Sequence, residues 1–209
     1  AEPKLIYKSR EINQNNNGIS FISSLQNNIT ENEITQNNGH GIKLFTSSVN
    51  LIFNNTIASN LFDGVRLENS NDNNILENLV ERNDLGISLL NSDLNNISGN
   101  NASHETAGIG LVDSEINQIT LNFLNNNSFD GIVLTNSNQN EIIENFAFAG
   151  GDGISLIDSN SNQVLENNVT NNNRGIFLDG TLINNDISRN FACFNNNFDF
   201  DNPAGVVDS

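Results

Sequence analysis

The sequence of 209 residues holds one cysteine, two prolines and one tyrosine, and neither methionine nor tryptophan. A lone Cys193 excludes an intramolecular disulfide, and its place between Phe191 and Phe194 predicts a buried thiol. Two histidines, His40 and His104, stand far from each other and from that cysteine, too few and too scattered for the nitrogen and sulfur ligands that zinc or copper takes. No run of about 18 apolar residues occurs, so membrane insertion is excluded by this criterion. Basic residues are scarce, 8 against 25 acidic ones, for a net charge of −17. Lys4, Lys8, Arg10, Lys43, Arg66, Arg82, Arg174 and Arg189 are scattered along the chain, so no basic patch exists for nucleic acid. The acidic excess reads as a solubilising charge on a long surface. With no initiator methionine the chain reads as either processed or a fragment; Ala1-Glu2-Pro3 would suit a mature start after signal cleavage, pointing to an extracellular or cell-surface location.

Apolar residues make up only 36% of the chain and charged residues 16%, and asparagine fills the difference. Such a composition invites disorder, but the apolar residues are placed too regularly for that. Gly18, Gly41, Gly64, Gly86, Gly108, Gly131, Gly153 and Gly175 recur every 22 or 23 residues. One residue after each stands Ile or Val, and three after stands Leu or Phe. Six after stands Ser or Thr (Ser24, Ser47 and on to Thr181), and nine after stands Asn (Asn27, Asn50 and on to Asn184). Apolar residues return eleven and sixteen after, and Asn fourteen after, with a one-residue slip in the last repeat. The unit reads G-I-x-L-x-x-S-x-x-N-x-I-x-x-N-x-I-x-x-N. Apolar residues two apart, broken by polar corners, predict three short strands per repeat.

Each repeat then forms one coil, and stacking coils as parallel strands about 4.8 Å apart builds the core. The expected fold is all-β: a single-stranded parallel β-helix, or β-solenoid, of about eight complete coils with partial coils at the ends. The expected organisation is a partial coil over 1–17, repeats over 18–197 and a C-terminal cap or tail over 198–209, with Phe194, Phe198 and Phe200 plugging the core. Asparagine at the corners is expected to tolerate the left-handed backbone and to form an asparagine ladder from coil to coil. The glycines suit either a corner or a close approach of backbones. A leucine-rich repeat fails, because the position two after the Ser column holds Gln26, Asp72 and Ser161 where that unit needs leucine.

The recurring G-I-x-L-x-x-S-x-x-N-x-I-x-x-N resembles the parallel β-helix repeats of the NosD-like and pectate-lyase-like superfamily, over residues 18 to about 197. The resemblance implies a right-handed helix. That superfamily includes lyases, epimerases, hydrolases, tailspikes, adhesins and non-catalytic surface proteins, so the fold does not fix the function.

Chemistry is sought beside the glycines. His40, Lys43, Asp63, Arg66 and Glu68 fall on adjacent coils and form one candidate binding patch. Asp130 and Asp152 also fall on adjacent coils, about 5 Å apart, as a candidate carboxylate pair or a site for a cation such as calcium. His104-Glu105 replaces an Asn-rich corner and is read as a solvated pair. Gly39-His40-Gly41 matches one polygalacturonase motif, but the accompanying Asp-Asp pair is absent and Gly41 belongs to the repeat. No catalytic residue is assigned. Apolar residues four after the glycine (Ile22, Phe45, Leu90, Val112, Ile157) and twelve after it (Phe53, Leu76, Ile143, Leu165) follow inward residues, and point outward unless a corner turns them in. The open strand edges at the ends and these stripes suggest self-association. The leading reading is a non-enzymatic exported or surface module acting in assembly or adhesion. The alternative is a protein that binds or modifies an acidic polysaccharide along the Asp63/Arg66 to Asp152 face.

Overall fold

The structure, a computed structural model, describes residues 6–8 and 10–202. The Ala1-Glu2-Pro3 start and the tail beyond Asn202 lie outside the described residues. The chain winds as a parallel β-helix whose three nine-stranded sheets each take one strand from every coil. Sheet 1 runs from Ile19–Ile22 to Phe198–Asp201, sheet 2 from Ile6–Lys8 to Asp186–Ser188, and sheet 3 from Glu11–Asn13 to Phe191–Cys193. All pairings are parallel and keep the repeat in register, as in Ile42↔Val65 and Leu44↔Leu67. No helix occurs among the described residues, and hence none long and apolar enough to cross a membrane.

The core is the set of inward columns. In the coil from Gly41, Ile42, Leu44, Ile52 and Ile57 are all 0% exposed. Their counterparts in neighbouring coils form one continuous cluster from Ile19 to Leu182. No single coil could enclose these side chains, so their burial, worth about 1.5–3 kcal/mol for each large aliphatic, is gained only by stacking.

The corners correct one expectation. The left-handed residue is not the ladder asparagine but the residue before it. In the same coil Thr46, Val49, Asn54 and Ser59 take φ of 51°, 60°, 53° and 57°, each directly preceding Ser47, Asn50, Asn55 and Asn60. Even the β-branched Ile116 adopts it, at φ 56°. The ladder residue follows with its side chain turned inward and bonded along the rod. The Asn55 backbone N–H and Nδ2 both donate to Asn78 Oδ1 at 2.9 Å, and Nδ2 also donates to the Ile29 carbonyl. The serine corner works in the same way: the Ser47 N–H donates to Ser70 Oγ at 3.0 Å, and Ser47 Oγ to the Phe45 carbonyl. Asparagine is therefore selected for carrying donor and acceptor on one short side chain, which satisfies backbone groups that a corner takes out of the sheet ladders.

The repeat glycines are there for space. Among the described glycines only Gly99 and Gly180 take the left-handed region. A Cβ on Gly64 would lie 2.4 Å from Val80 Cγ1 and 2.7 Å from the Gly86 carbonyl oxygen. Gly110, outside that column, would put a Cβ 3.7 Å from Val133 and 4.0 Å from Leu85, ordinary contacts. Gly64→Ala is thus expected to cost about 1–3 kcal/mol by overpacking. Gly110→Ala should be neutral or stabilise by about 0.5–1 kcal/mol through lower chain entropy. Thermal unfolding of both variants checks the contrast, and equal effects would refute it.

The apolar stripes stay outside the core cluster: Ile22, Phe45 and Val112 are exposed, while Leu90, Ile157, Phe53, Leu76 and Ile143 are half-buried and Leu165 is covered. Of the three expected plug residues only Phe200 follows an inward column. Residues Phe198–Asp201 add a ninth strand to sheet 1, and Phe194, Phe198 and Phe200 are each more than half exposed. Phe194 is a reversing corner residue and Phe198 continues the outward column of Arg174, while Phe200 lies over Ile176 with no further coil to cover it among the described residues. Cys193 is half-buried on the last strand of sheet 3, where no further coil covers it among the described residues.

Candidate functional site on the outer face of sheet 1

Alternation turns the residue two after each glycine away from the core. The residue before the glycine joins it on that face, because alternation breaks at the glycine, whose own side faces core residues such as Ile57 and Val80. Parallel pairing then lines both columns up along the rod. This outer face gathers the first patch read from the sequence. Lys43 pairs with Arg66, and Arg66 with Ser88, as register neighbours. Asp63, only 6% exposed, is held by three groups. Ser88 Oγ donates to its Oδ2 at 2.5 Å, Arg66 Nη1 lies 3.7 Å away, and His40 Nδ1 3.6 Å away. His40 Nδ1 also accepts the Asp63 backbone N–H at 3.2 Å. Burial lowers the imidazole pKa below its ordinary value. Asp63 and Glu68 oppose that shift, and Lys43 and Arg66 add to it. The imidazole is therefore neutral near pH 7 with its proton on Nε2, and its contact with Asp63 is not an ion pair. Lys43 Nζ pairs with Glu68 at 3.4 Å with both side chains partly solvated, so this link is worth little.

The second pair, Asp130 and Asp152, is also brought together, as register neighbours in sheet 1. The two carboxyls have different partners. Ser155 Oγ donates to Asp130 Oδ1 at 2.7 Å. Burial raises the Asp130 pKa to about 6; donation from Ser155 resists this, Asp152 adds to it, and Arg174 opposes it. Asp152 is gripped bidentately by Arg174 through Nε at 2.8 Å and through Nη2. Arg174 also reaches Asp201 at 3.3 Å and lies over the Phe177 ring, 3.4 Å from its centroid. Its own pKa rises, chiefly through the bond to Asp152. The guanidinium stands where a calcium ion would need to approach Asp152. These residues border an open hollow walled by Phe129, Gly151 and Asn173.

The two groups do not merge. Leu85 and Ala107 occupy the intervening coils of the same column, and Gly110 and Val133 lie beside them. Sequence reasoning did not single out Ser88, Ser155, Arg174 or Asp201. The first two sat in the column two after the glycine, where serine reads as filler, and Arg174 in the column of Asp130 and Asp152. The His104-Glu105 expectation needs correction: His104 is exposed but Glu105 is 3% exposed, standing in the ladder column. It accepts from the Asn83 N–H at 2.5 Å and from Asn83 Nδ2 at 3.1 Å. Burial lifts its pKa to about 7, resisted by both Asn83 bonds and helped by Glu81 and Asp63.

The family described as "Periplasmic copper-binding protein (NosD)" matches residues 4–79 and 61–200, nearly the whole chain. The chain belongs to the NosD family. Its architecture is that of the pectate-lyase-like right-handed parallel β-helix proteins. Among solved structures, the periplasmic alginate epimerase AlgG superposes with a TM-score of 0.69 at 22% identity, over 75% of this chain and 39% of AlgG. The A-module of Azotobacter vinelandii mannuronan C-5 epimerase AlgE4 gives 0.70 at 16% identity, over 83% and 57%. The Dettilon tailspike protein gp208 gives 0.68 at 18%, over 79% and 40%. At these identities the likeness shows the fold alone, and the chain spans about two fifths of AlgG. A comparison with curated proteins found no significant match.

The copper of the family description does not fit the residues present. Among the described residues no group of three or more His, Cys, Asp or Glu converges on a possible ion. His40 and His104 are separated by three strands of sheet 1, Cys193 lies in the last strand of sheet 3, and methionine thioethers are absent.

Proposed function

We propose that this NosD-family chain binds a polysaccharide laid along the outer face of sheet 1, in an exported or envelope compartment. One observation carries the reading. Apart from Lys8, every Lys or Arg placed within a described strand (Lys43, Arg66 and Arg174) lies in sheet 1, alongside Asp130, Asp152 and the hydroxyls of Ser88 and Ser155. Cationic donors beside carboxylate acceptors, the latter fixed by the two serines, offer hydrogen bonds in both directions to a hydroxyl-rich polymer along one face of a rigid rod. Structures of this fold named for alginate and mannuronan epimerisation, and a tailspike, support a glycan partner, and the periplasmic descriptions of NosD and AlgG support the compartment. The purified chain, tested against immobilised mannuronan, chitin and dextran, is expected to retain at least one. Arg174→Ala should weaken that binding tenfold or more, about 1.4 kcal/mol. A chain that retains none of the three would refute the reading.

A second reading, self-assembly or adhesion, is favoured by Phe191, Phe194, Phe198 and Phe200, all exposed on the last coil beside open strand edges. Sedimentation at rising concentration decides it. A growing weight-average mass supports stacking of chains, and a strictly monomeric profile removes it.

A further inference from the structure

Four loops that lead into sheet 1 carry one residue more than the others, and the first three account for the 23-residue repeats. They are Asn38-Gly39-His40, Leu61-Phe62-Asp63, Ser128-Phe129-Asp130 and, in the last coil, Asn196-Asn197-Phe198, where the other coils have two residues, such as Asp84-Leu85 and Thr106-Ala107. In the second and third, the extra length pushes a phenylalanine into solvent: Phe62 is 49% and Phe129 66% exposed. Both are followed by an aspartate turned back against the sheet. In each case that aspartate accepts a hydrogen bond from a serine 25 residues on, Ser88 to Asp63 at 2.5 Å and Ser155 to Asp130 at 2.7 Å. The same three groups thus recur in the same arrangement on one face.

We infer that Phe62–Asp63–Ser88 and Phe129–Asp130–Ser155 are two equivalent subsites for a single uncharged polysaccharide chain. This rests on the glycan reading above and goes further by naming the contacts, their spacing and the ligand's charge. From Asp63 the column runs through Leu85 and Ala107 to Asp130, three coil steps, or about 14 Å at the strand spacing of a sheet. A site that repeats along a rod matches a ligand that repeats along its own axis. The exposed ring offers its negative face to the C–H groups of a sugar ring. Each serine spends its one hydrogen on the aspartate, so the aspartate oxygens remain as acceptors for sugar hydroxyls, and the neighbouring Arg66 and Arg174 supply the donors. Neither phenylalanine belongs to the core cluster; the Phe62 ring lies tilted beside the His40 imidazole, 5.5 Å between centroids, and keeps its exposed side free. Charge selects the class. Asp130 stands beside Asp152 and Asp201 with Arg174 alone to balance them, on a chain of net charge −17. A polyuronate would meet repulsion there, whereas an uncharged chain would not. The sequence reading had taken an acidic glycan.

Affinity of the full chain for dextran and chitin oligosaccharides of increasing length, with mannuronan oligomers as the anionic comparison, tests this. Affinity for the uncharged series should rise by two or more orders of magnitude once an oligosaccharide spans both subsites. Phe62→Ala and Phe129→Ala should each abolish that gain and leave the unfolding temperature unchanged. If the wild-type chain binds but neither variant weakens it, or only one does, the twin-subsite inference fails and the glycan reading stands. If mannuronan binds more tightly than the uncharged series, the ligand class is overturned. If none of the three is bound, the glycan reading itself falls and the subsites with it.

Discussion

Asn122→Ala is expected to destabilise the rod by about 4 kcal/mol, although the side chain removed is polar and its space is small. Asn122 sits mid-rod, 1% exposed. Its Oδ1 accepts from the backbone N–H and the Nδ2 of Asn100, at 3.0 and 3.1 Å. Its Nδ2 donates to the Ile97 carbonyl and to Asn145 Oδ1, both at 2.9 Å. Truncation leaves Asn100 Nδ2 with its bonds to the Ile75 and Ser98 carbonyls, and Asn145 Oδ1 with the Asn122 N–H. The Asn100 N–H is left without a partner, at about 1–3 kcal/mol, and the Ile97 carbonyl, whose strand stays paired with Gln118–Thr120, loses one of its two acceptor bonds, at about 1 kcal/mol. Asn122→Asp should do comparable harm at neutral pH. It keeps the acceptor for Asn100 but faces the Ile97 carbonyl and Asn145 Oδ1 with a carboxylate that has no hydrogen to give. Because each coil touches only its neighbours, a fault at this point weakens the coupling between the two halves of the rod. Denaturant unfolding should therefore broaden as well as shift to lower concentration. A loss under about 1 kcal/mol for both variants would show that water replaces the amide, contrary to its burial.

The ladder also shows what a repeat sequence discloses. Its columns were plain in the primary structure and keep one task through seven coils; in the eighth the register slips by one, so that Asn184 reverses the backbone at φ 59° and Asn185 takes the ladder bond from Asn162. The inward Ile and Leu columns needed only strand alternation. The task of the asparagines was not legible. A corner uses two adjacent residues, one to reverse the backbone and one to bond along the rod, and only the second keeps a dominant residue type, with Glu105 and Gly150 as departures. The reversing residue varies from Val49 to Asp72 to Ser161, since a single left-handed residue at about 1–2 kcal/mol is tolerated wherever its neighbours are locked. The His40 to Glu68 patch and the Asp130/Asp152 pair were found by adding whole periods to a residue number, which in a solenoid is a statement of distance. Partners that lie one coil on and three columns across, such as Ser88 for Asp63, needed the direction in which each side chain leans. Glu105 was misjudged for a related reason: its neighbour His104 is exposed, and one step along a corner changes solvent to core.

That misjudged residue gives the chain a stability that falls as pH rises. The Asn83 and Asn127 amides on either side of Glu105 donate to the Ile57 and Ala102 carbonyls. An ionised Glu105 cannot make the corresponding donation, and it is buried beside two further carboxylates that disfavour its charge, Glu81 and Asp63. Its folded pKa of about 7 stands above the ordinary 4.5. A carboxyl whose pKa rises on folding holds its proton more tightly in the folded state. Its contribution is therefore fully present below about pH 4.5 and is lost as pH climbs through about 7, a change of about 3 kcal/mol across the window. Asp130, at about 6 against 3.8, acts with the same sign over a lower window. Glu105→Asn restores the amide of the repeat and should raise stability at pH 7.5 by about 3 kcal/mol while changing it little near pH 4. The variant should retain only the shallower slope owed to Asp130, which ends near pH 6. Chemical denaturation of both proteins at half-unit intervals from about pH 4 to 8 reads this directly. A wild-type stability that is flat or rising between pH 5 and 7, or a variant with the wild-type slope, would mean that Glu105 reaches solvent in solution and that the ladder tolerates a charge at its centre.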